Sequence, residues 1–280
     1  MNGRPTWIDA CHGLGGFRLG FEAAGWECVD AFDIKPRLVE LYRSRGWESR
    51  VADILALDRL EHCDVLVSGA PCQSFSAANQ RRHEHSREHK NGGRRCASIP
   101  ELLFRLARSS GIPVVLMENV EGLLSADGGR AFYRVLASVA ANGFLPQWSV
   151  VDCSTLGATT ARRRLLLLAV SRRAEGLHRF FERHRVSSTE DGHQARWPYS
   201  VTSSSVKNIG WGGQLIMDFD ARGKLRRYRS LGRNELEAVQ GFPQGWSDPL
   251  SKRASHYALA DSFPPAAAYT CARELGRVLK

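Results

Sequence analysis

Over the first 170 residues the chain alternates between two apolar periods. Short β-branched runs bounded by turn residues read as buried strands, and stretches with apolar residues three and four apart read as helices. Thr6 to Cys11 predicts a strand, a glycine-rich turn follows, and Phe17 to Ala24 predicts an amphipathic helix. Glu27 to Asp33 is the next strand and Pro36 to Arg45 the next helix. Asp64 to Ser68 and Val114 to Met117 have the apolar character of buried parallel strands. Gly128 to Asn142 reads as helix, and Trp148 to Cys153 and Leu165 to Val170 as strands. This βαβα order predicts an α/β fold built on a doubly wound sheet.

The pattern breaks after Ser171. Up to Tyr228 the chain mixes charges, serines, glycines and isolated aromatics, and reads as a small irregular second domain or insertion. Helical periods resume at Arg233 to Gln240 and Pro265 to Leu279, so the expected division is 1–170, 171–228 and 229–280. A polar segment from Phe75 to Ile99 has no apolar period; so long a loop inside a domain reads as a lid or binding loop.

Hydrophobic residues make up 43% of the chain, which excludes a disordered or fibrous class. No apolar run approaches the roughly eighteen residues of a membrane span. The first residues enter a strand at once and leave no room for a signal peptide. Seven cysteines without CxxC pairs argue against zinc or a disulfide framework and for a reducing, cytoplasmic interior. The net charge of +10 points to a polyanionic partner. Arg81, Arg82, Arg87, Lys90, Arg94 and Arg95 crowd one segment; Arg222, Lys224, Arg226, Arg227 and Arg229 crowd another. Such clusters suit phosphate contacts that weaken with salt.

Candidate chemistry gathers at strand ends. The turn Cys11-His12-Gly13-Leu14-Gly15-Gly16 lets backbone approach a ligand, but it lacks the GxGxxG spacing of a dinucleotide site. Asp33 ends the second strand, and Asp53 with Ile54 ends the next short run. Cys72 follows Gly69-Ala70-Pro71 at the end of one strand, and Glu118-Asn119 ends another: a thiol and a carboxyl where chemistry collects in open α/β sheets. Arg162 and Arg164 share one side of a strand, where they would depress a thiol's pKa and bind anions.

These segments, in order, resemble the cytosine-C5 DNA methyltransferases: DACHGLGGF, SGAPCQSFS, MENVEG, TARRR, RSLGRNELEAVQGFPQGW and ALADSFPP. The resemblance implies a Rossmann-like methyltransferase sheet with residues 171–228 in the target-recognition position. It implies methyl transfer from S-adenosylmethionine to carbon 5 of a flipped cytosine in double-stranded DNA. Cys72 is then the nucleophile at carbon 6, Glu118 the acid at ring N3, and Arg164 the contact to the base O2. Asn119 holds the exocyclic amine region or the Cys72 loop, and Arg162 the neighbouring loop or a phosphate. Cys11, Gly13, Leu14, Gly16, Asp33, Asp53, Ile54, Gly69, Pro71, Asp261 and Ser262 line the donor site. Ser76, Arg81, Arg82, Arg94, Arg95, Trp211, Arg226 and Arg227 face DNA. A monomer, with neither metal nor membrane, in a prokaryotic or phage-encoded restriction–modification setting is expected.

Three positions depart from the family: Cys11 replaces an aromatic, Thr160 a glutamine, and Ala260-Asp261 a Gly-Asn pair. An RNA cytosine-C5 methyltransferase, an inactive DNA-binding relative and a modified methyl donor stay open as alternatives.

Overall fold

The computed structural model describes residues 3–71, 98–171, 215–219, 222 and 224–279. Seven strands form one sheet: β1 (Thr6–Ala10), β2 (Glu27–Asp33), β3 (Arg50–Val51), β4 (Val65–Gly69), β5 (Val114–Asn119), β6 (Phe144–Asp152) and β7 (Arg163–Ser171). Their order across the sheet is β3-β2-β1-β4-β5-β7-β6. The first five are parallel, as the apolar runs of β4 and β5 predict for those two. β7 runs antiparallel to both β5 and β6, so the sheet is mixed rather than wholly parallel. A second ribbon pairs β8 (Leu215–Phe219) with β9 (Leu225–Ser230), where the sequence reading draws no element.

Seven helices are described: α1 (Gly16–Ala23), α2 (Pro36–Ser44), α3 (Ile99–Ser109), α4 (Arg130–Ala141), α5 (Arg233–Gln240), α6 (Lys252–Asp261) and α7 (Pro265–Val278). α3 and α6 are absent from the sequence reading. Helices α1 and α7 cover one sheet face, where Phe17, Phe21, Ala268 and Leu275 pack with Trp7, Val67 and Leu166. α3 and α4 cover the other, with Leu103, Phe104, Val135 and Val139 against Ile8, Leu66 and Val115. A third cluster joins Leu38 and Leu41 of α2 to Leu236, Phe242, Trp246 and Leu259.

The strand order reverses between β1 and β4, so their carboxyl ends open a crevice. The first turn lies on one side of it and Gly69-Ala70-Pro71 on the other. No described helix is long and apolar enough to cross a membrane.

Candidate active site

The turn after β1 reverses through left-handed residues at Cys11 (φ 58°), Gly13 (φ 58°) and Gly15 (φ 87°). Glycine adopts this region freely, whereas Cys11 is the uncommon case. Asp33, at the end of β2, holds the turn: Gly13 N–H donates to its Oδ2 at 3.0 Å and Lys35 N–H to its Oδ1 at 2.8 Å.

The glycines here differ in purpose. A Cβ on Gly13 would meet nothing closer than the Cys11 carbonyl oxygen at 4.0 Å, so its backbone faces open space. A Cβ on Gly16 would stand 1.9 Å from the Phe263 carbonyl oxygen, so the returning chain itself requires that glycine. The Leu14 side chain is buried beside Leu38, Leu41 and Trp246, and Trp246 Nε1–H donates to the Leu14 carbonyl at 2.9 Å. Leu14 therefore presents main chain to the crevice.

Beside the turn, Ile34 is 54% exposed and Val51 52% exposed, on the paired ends of β2 and β3. The sequence reading missed both. The signal was an apolar residue directly after Asp33, in a polar stretch that otherwise begins a helix. Asp53 accepts from Leu55 N–H, and Ile54 is buried beneath. An open backbone cradle, an apolar shelf and two carboxylates suit a flat heteroaromatic ring carrying a sugar.

A buried polar group underlies the turn. Tyr42 donates from its hydroxyl to Asp9 Oδ2 at 2.8 Å, and the His12 ring stacks on Tyr42 at 4.0 Å and contacts Ser49 Oγ at 2.8 Å. Burial pushes the Asp9 carboxyl up to about 7, against the pull of Tyr42 and Arg18.

Across the crevice, Pro71 is the last described residue before Cys72. Cys72, Ser76, Arg81, Arg82, Arg94, Arg95 and Trp211 lie outside the described residues. Arg226 and Arg227 are described as backbone of β9 only. Asn119 donates from Nδ2 to the Ala70 carbonyl at 3.4 Å and accepts from Val120 N–H at 2.9 Å. It thus ties the end of β5 to the residues leading into Cys72.

Glu118 is 5% exposed, and its Oε1 lies 2.8 Å from Arg164 Nε. Burial raises its carboxyl above the usual range, while Arg164 and then Arg162 pull it back. Between the two, Arg163 turns outward to pair with Glu121 at 2.9 Å. Arg162 is fully buried and donates from Nη2 to the Ala260 carbonyl. Its burial, with Arg164 nearby, lowers it to about 10. The bond to the Ala260 carbonyl braces the end of α6. Thr160 is buried and donates to Gln240 Oε1 at 3.5 Å, and Gln240 Nε2–H donates to the Leu259 carbonyl at 2.7 Å. Ser262 is buried with Oγ on the Ala258 carbonyl, while Asp261 beside it is exposed. Among the described residues no cluster of His, Cys, Asp and Glu could hold a metal ion.

The family model for C-5 cytosine-specific DNA methylases matches residues 6–188, from β1 through β7 and beyond. The chain belongs to that family. Its relatives include the Type II methyltransferase M.MspI of a Moraxella species, 24% identical over 98% of this chain and 71% of that protein. The Type II methyltransferase M.NgoMIV of Neisseria gonorrhoeae is 22% identical over 98% of both. With M.BsuFI of Bacillus subtilis the identity is 29%, but the match spans 58% of this chain and only 38% of that protein. Among solved structures, the Entamoeba histolytica methyltransferase EhMeth superposes with a TM-score of 0.69 at 14% identity over the full length of both chains. A putative DNA modification methyltransferase from an E. coli prophage gives 0.67 at 15% identity, over 98% of this chain and 99% of that one. These two likenesses speak for the fold. The cytosine-methylase match takes in the first turn, Pro71, Cys72, Glu118 and Arg164, and stops short of Asp261 and Ser262.

Proposed function

We propose that this chain methylates carbon 5 of a cytosine in double-stranded DNA, with S-adenosylmethionine as donor and Cys72 as nucleophile. One observation carries the reading: a buried carboxyl, Glu118, is held by Arg164 at the strand end beside Gly69-Ala70-Pro71, and Cys72 is the next residue. The pairing of Gly69 with Glu118 sets the strand end that leads towards Cys72 beside the acid, which supports the reading.

Carbon 5 of cytosine is a poor nucleophile until the ring gains electrons. The Cys72 thiolate adds to carbon 6, N3 takes a proton from Glu118, and the electron pair reaches carbon 5. A carboxyl raised by burial suits that proton transfer, and Arg164 stabilises it once it is ionised. After carbon 5 has gained its methyl group, its proton leaves to a solvent base. The carbon 5–carbon 6 double bond then re-forms, Cys72 departs as thiolate, and N3 returns its proton to Glu118. The ring has to leave the duplex for these contacts.

The donor supplies an electrophilic methyl group when bound. Gly13 and Gly69 would give it backbone room, Ile34 and Val51, over the buried Ile54, would pack against its flat ring, and Asp53 would face its hydroxyls while Asp33 holds the turn. Asn119 and Arg162 act as positioning residues, one on the Cys72 segment and one on the end of α6. The basic segments at 81–95 and 222–229, together with Trp211, supply groups for contacts to DNA, and a monomer in a bacterial or phage cytoplasm fits this role.

Duplex DNA containing 5-fluorocytosine tests the reading, because fluorine at carbon 5 blocks the final elimination. The wild-type protein with donor should form an adduct that survives denaturing electrophoresis; Cys72→Ser should form none, and Glu118→Gln should form it at least tenfold more slowly. An adduct on structured RNA alone would move the substrate to RNA. No adduct on either would sink the catalytic reading.

A further inference from the structure

The short run Leu259 to Phe263 is held from both sides of the crevice. Ala260 is fixed by Arg162, two residues before the Arg164 that holds Glu118. Phe263 stacks on Phe17 at 4.7 Å, and its carbonyl occupies the space that a side chain on Gly16 would need. Gln240 Nε2–H also donates to the carbonyls of Leu259 and, at 3.4 Å, Ser262. Four residues of the run are buried, and one is exposed: Asp261. It is therefore pinned between the cofactor turn and the acid–arginine pair, yet exposed.

Its charge is not used up locally. Among the described residues the Asp261 carboxylate makes no hydrogen bond or ion pair at contact distance. Surrounding protein raises the Asp261 carboxyl above the usual range, Lys35, Arg162 and Arg164 pull it back from further away, and Asp261 in turn raises Glu118. Glu118 already answers Arg164, which leaves Arg162 and Lys35 as the cations whose charge Asp261 offsets.

We propose that Asp261 reads the charge of the methyl donor, favouring the sulfonium cation before transfer over the neutral thioether left afterwards. The inference rests on the donor reading above. A carboxylate near the transferring centre attracts a sulfonium and gains nothing from a thioether, so it raises donor affinity and limits inhibition by product. The fixed backbone on both sides holds the charge in place at little entropic cost.

Calorimetric titration of the wild type, Asp261→Asn and Asp261→Glu tests this with three probes. S-adenosylmethionine carries the sulfonium, sinefungin an ammonium in its place, and S-adenosylhomocysteine a neutral sulfur. The asparagine variant should bind both cations about three- to tenfold more weakly while holding the thioether within about twofold. The glutamate variant should restore the preference. Equal weakening of all three ligands would make Asp261 a packing residue, and unchanged affinities would make it a bystander; either overturns the inference and leaves the donor reading intact. A wild-type protein that binds none of the three overturns the donor reading, and the inference with it.

Discussion

At the residue scale, the same physical cause, burial, gives two carboxyls opposite fates. Glu118 is buried but meets Arg164 at 2.8 Å, so its raised carboxyl has a partner waiting when it ionises. Asp9 is buried with only the Tyr42 hydroxyl in contact, and its Oδ1 lacks a hydrogen-bond partner. Its carboxyl rises to about 7 from 3.8. A carboxyl that holds its proton more tightly when folded contributes stability below the unfolded value, and that contribution drains away as pH rises towards the folded one. Asp9 therefore costs the fold progressively between about pH 4 and about pH 7. Asp9→Asn stays neutral throughout. Urea unfolding at about pH 5 and about pH 8 should show wild type losing on the order of 3 kcal/mol relative to the variant over that interval. Parallel stabilities at the two pH values would refute it. Asp9 was legible as the first residue of the glycine-turn motif, but its burial was not, because Tyr42 and Arg18 reach it from other elements.

Elements fail or succeed by how closely they approach, and α1 against α7 shows this. A Cβ on Gly20 would lie 2.4 Å from Tyr269 N and 2.5 Å from Ala268 Cβ. Alanine is the better helix former by about 1 kcal/mol, but overpacking costs roughly 1–3 kcal/mol or more. Gly20→Ala should thus lower stability by about 2 kcal/mol. Gly276, in α7, meets only the Trp26 ring at 3.7 Å, an ordinary contact, so Gly276→Ala should raise stability by about 0.5–1 kcal/mol. Chemical denaturation of both variants checks the pair; a stabilised Gly20→Ala would contradict the close approach. The same scale explains what the sequence shows and hides. β1, β4 and β5 are legible because each is a bounded, largely apolar run covered on both faces. α6, Lys252–Asp261, offers serine, alanine, histidine and tyrosine in place of a strong apolar stripe, so its period is faint. α3 carries a clear stripe in Leu103, Phe104, Leu106 and Ala107, but it directly follows the long polar segment, whose irregularity masks its start. The direction of β7 is invisible, since side-chain alternation reads the same both ways. Yet that direction builds the site. Running antiparallel, β7 starts beside the end of β5, with Leu165 opposite Asn119, and so delivers Arg164 to Glu118. A parallel β7 would leave the arginines at the far edge of the sheet.

For the whole molecule, the end of the chain is structurally bound to its beginning. Trp26 Nε1–H donates to the Ala272 carbonyl at 3.2 Å, and Trp246 Nε1–H holds Leu14 within the first turn. Ala267, Ala268, Cys271 and Leu275 of α7 cover the same sheet face as Phe17 and Phe21 of α1. Leu236, Val239, Phe242, Trp246 and Leu259 close the third cluster over α2. Each large side chain in that set is worth about 1.5–3 kcal/mol of burial, while whole-domain stability is about 5–15 kcal/mol. Removing the set takes more than the fold can lose. A chain ended after Ser230 keeps every residue proposed to react, Cys72, Glu118 and Arg164 among them, yet it uncovers one face of α1 and the back of the cofactor turn. It should lose the cooperative thermal transition of the full chain by circular dichroism and bind the hydrophobic dye ANS. A sharp transition at an unchanged temperature in the shortened chain would show that residues 231–280 are an appendage, and that Phe263, Trp246 and Asp261 are not needed to form the donor site.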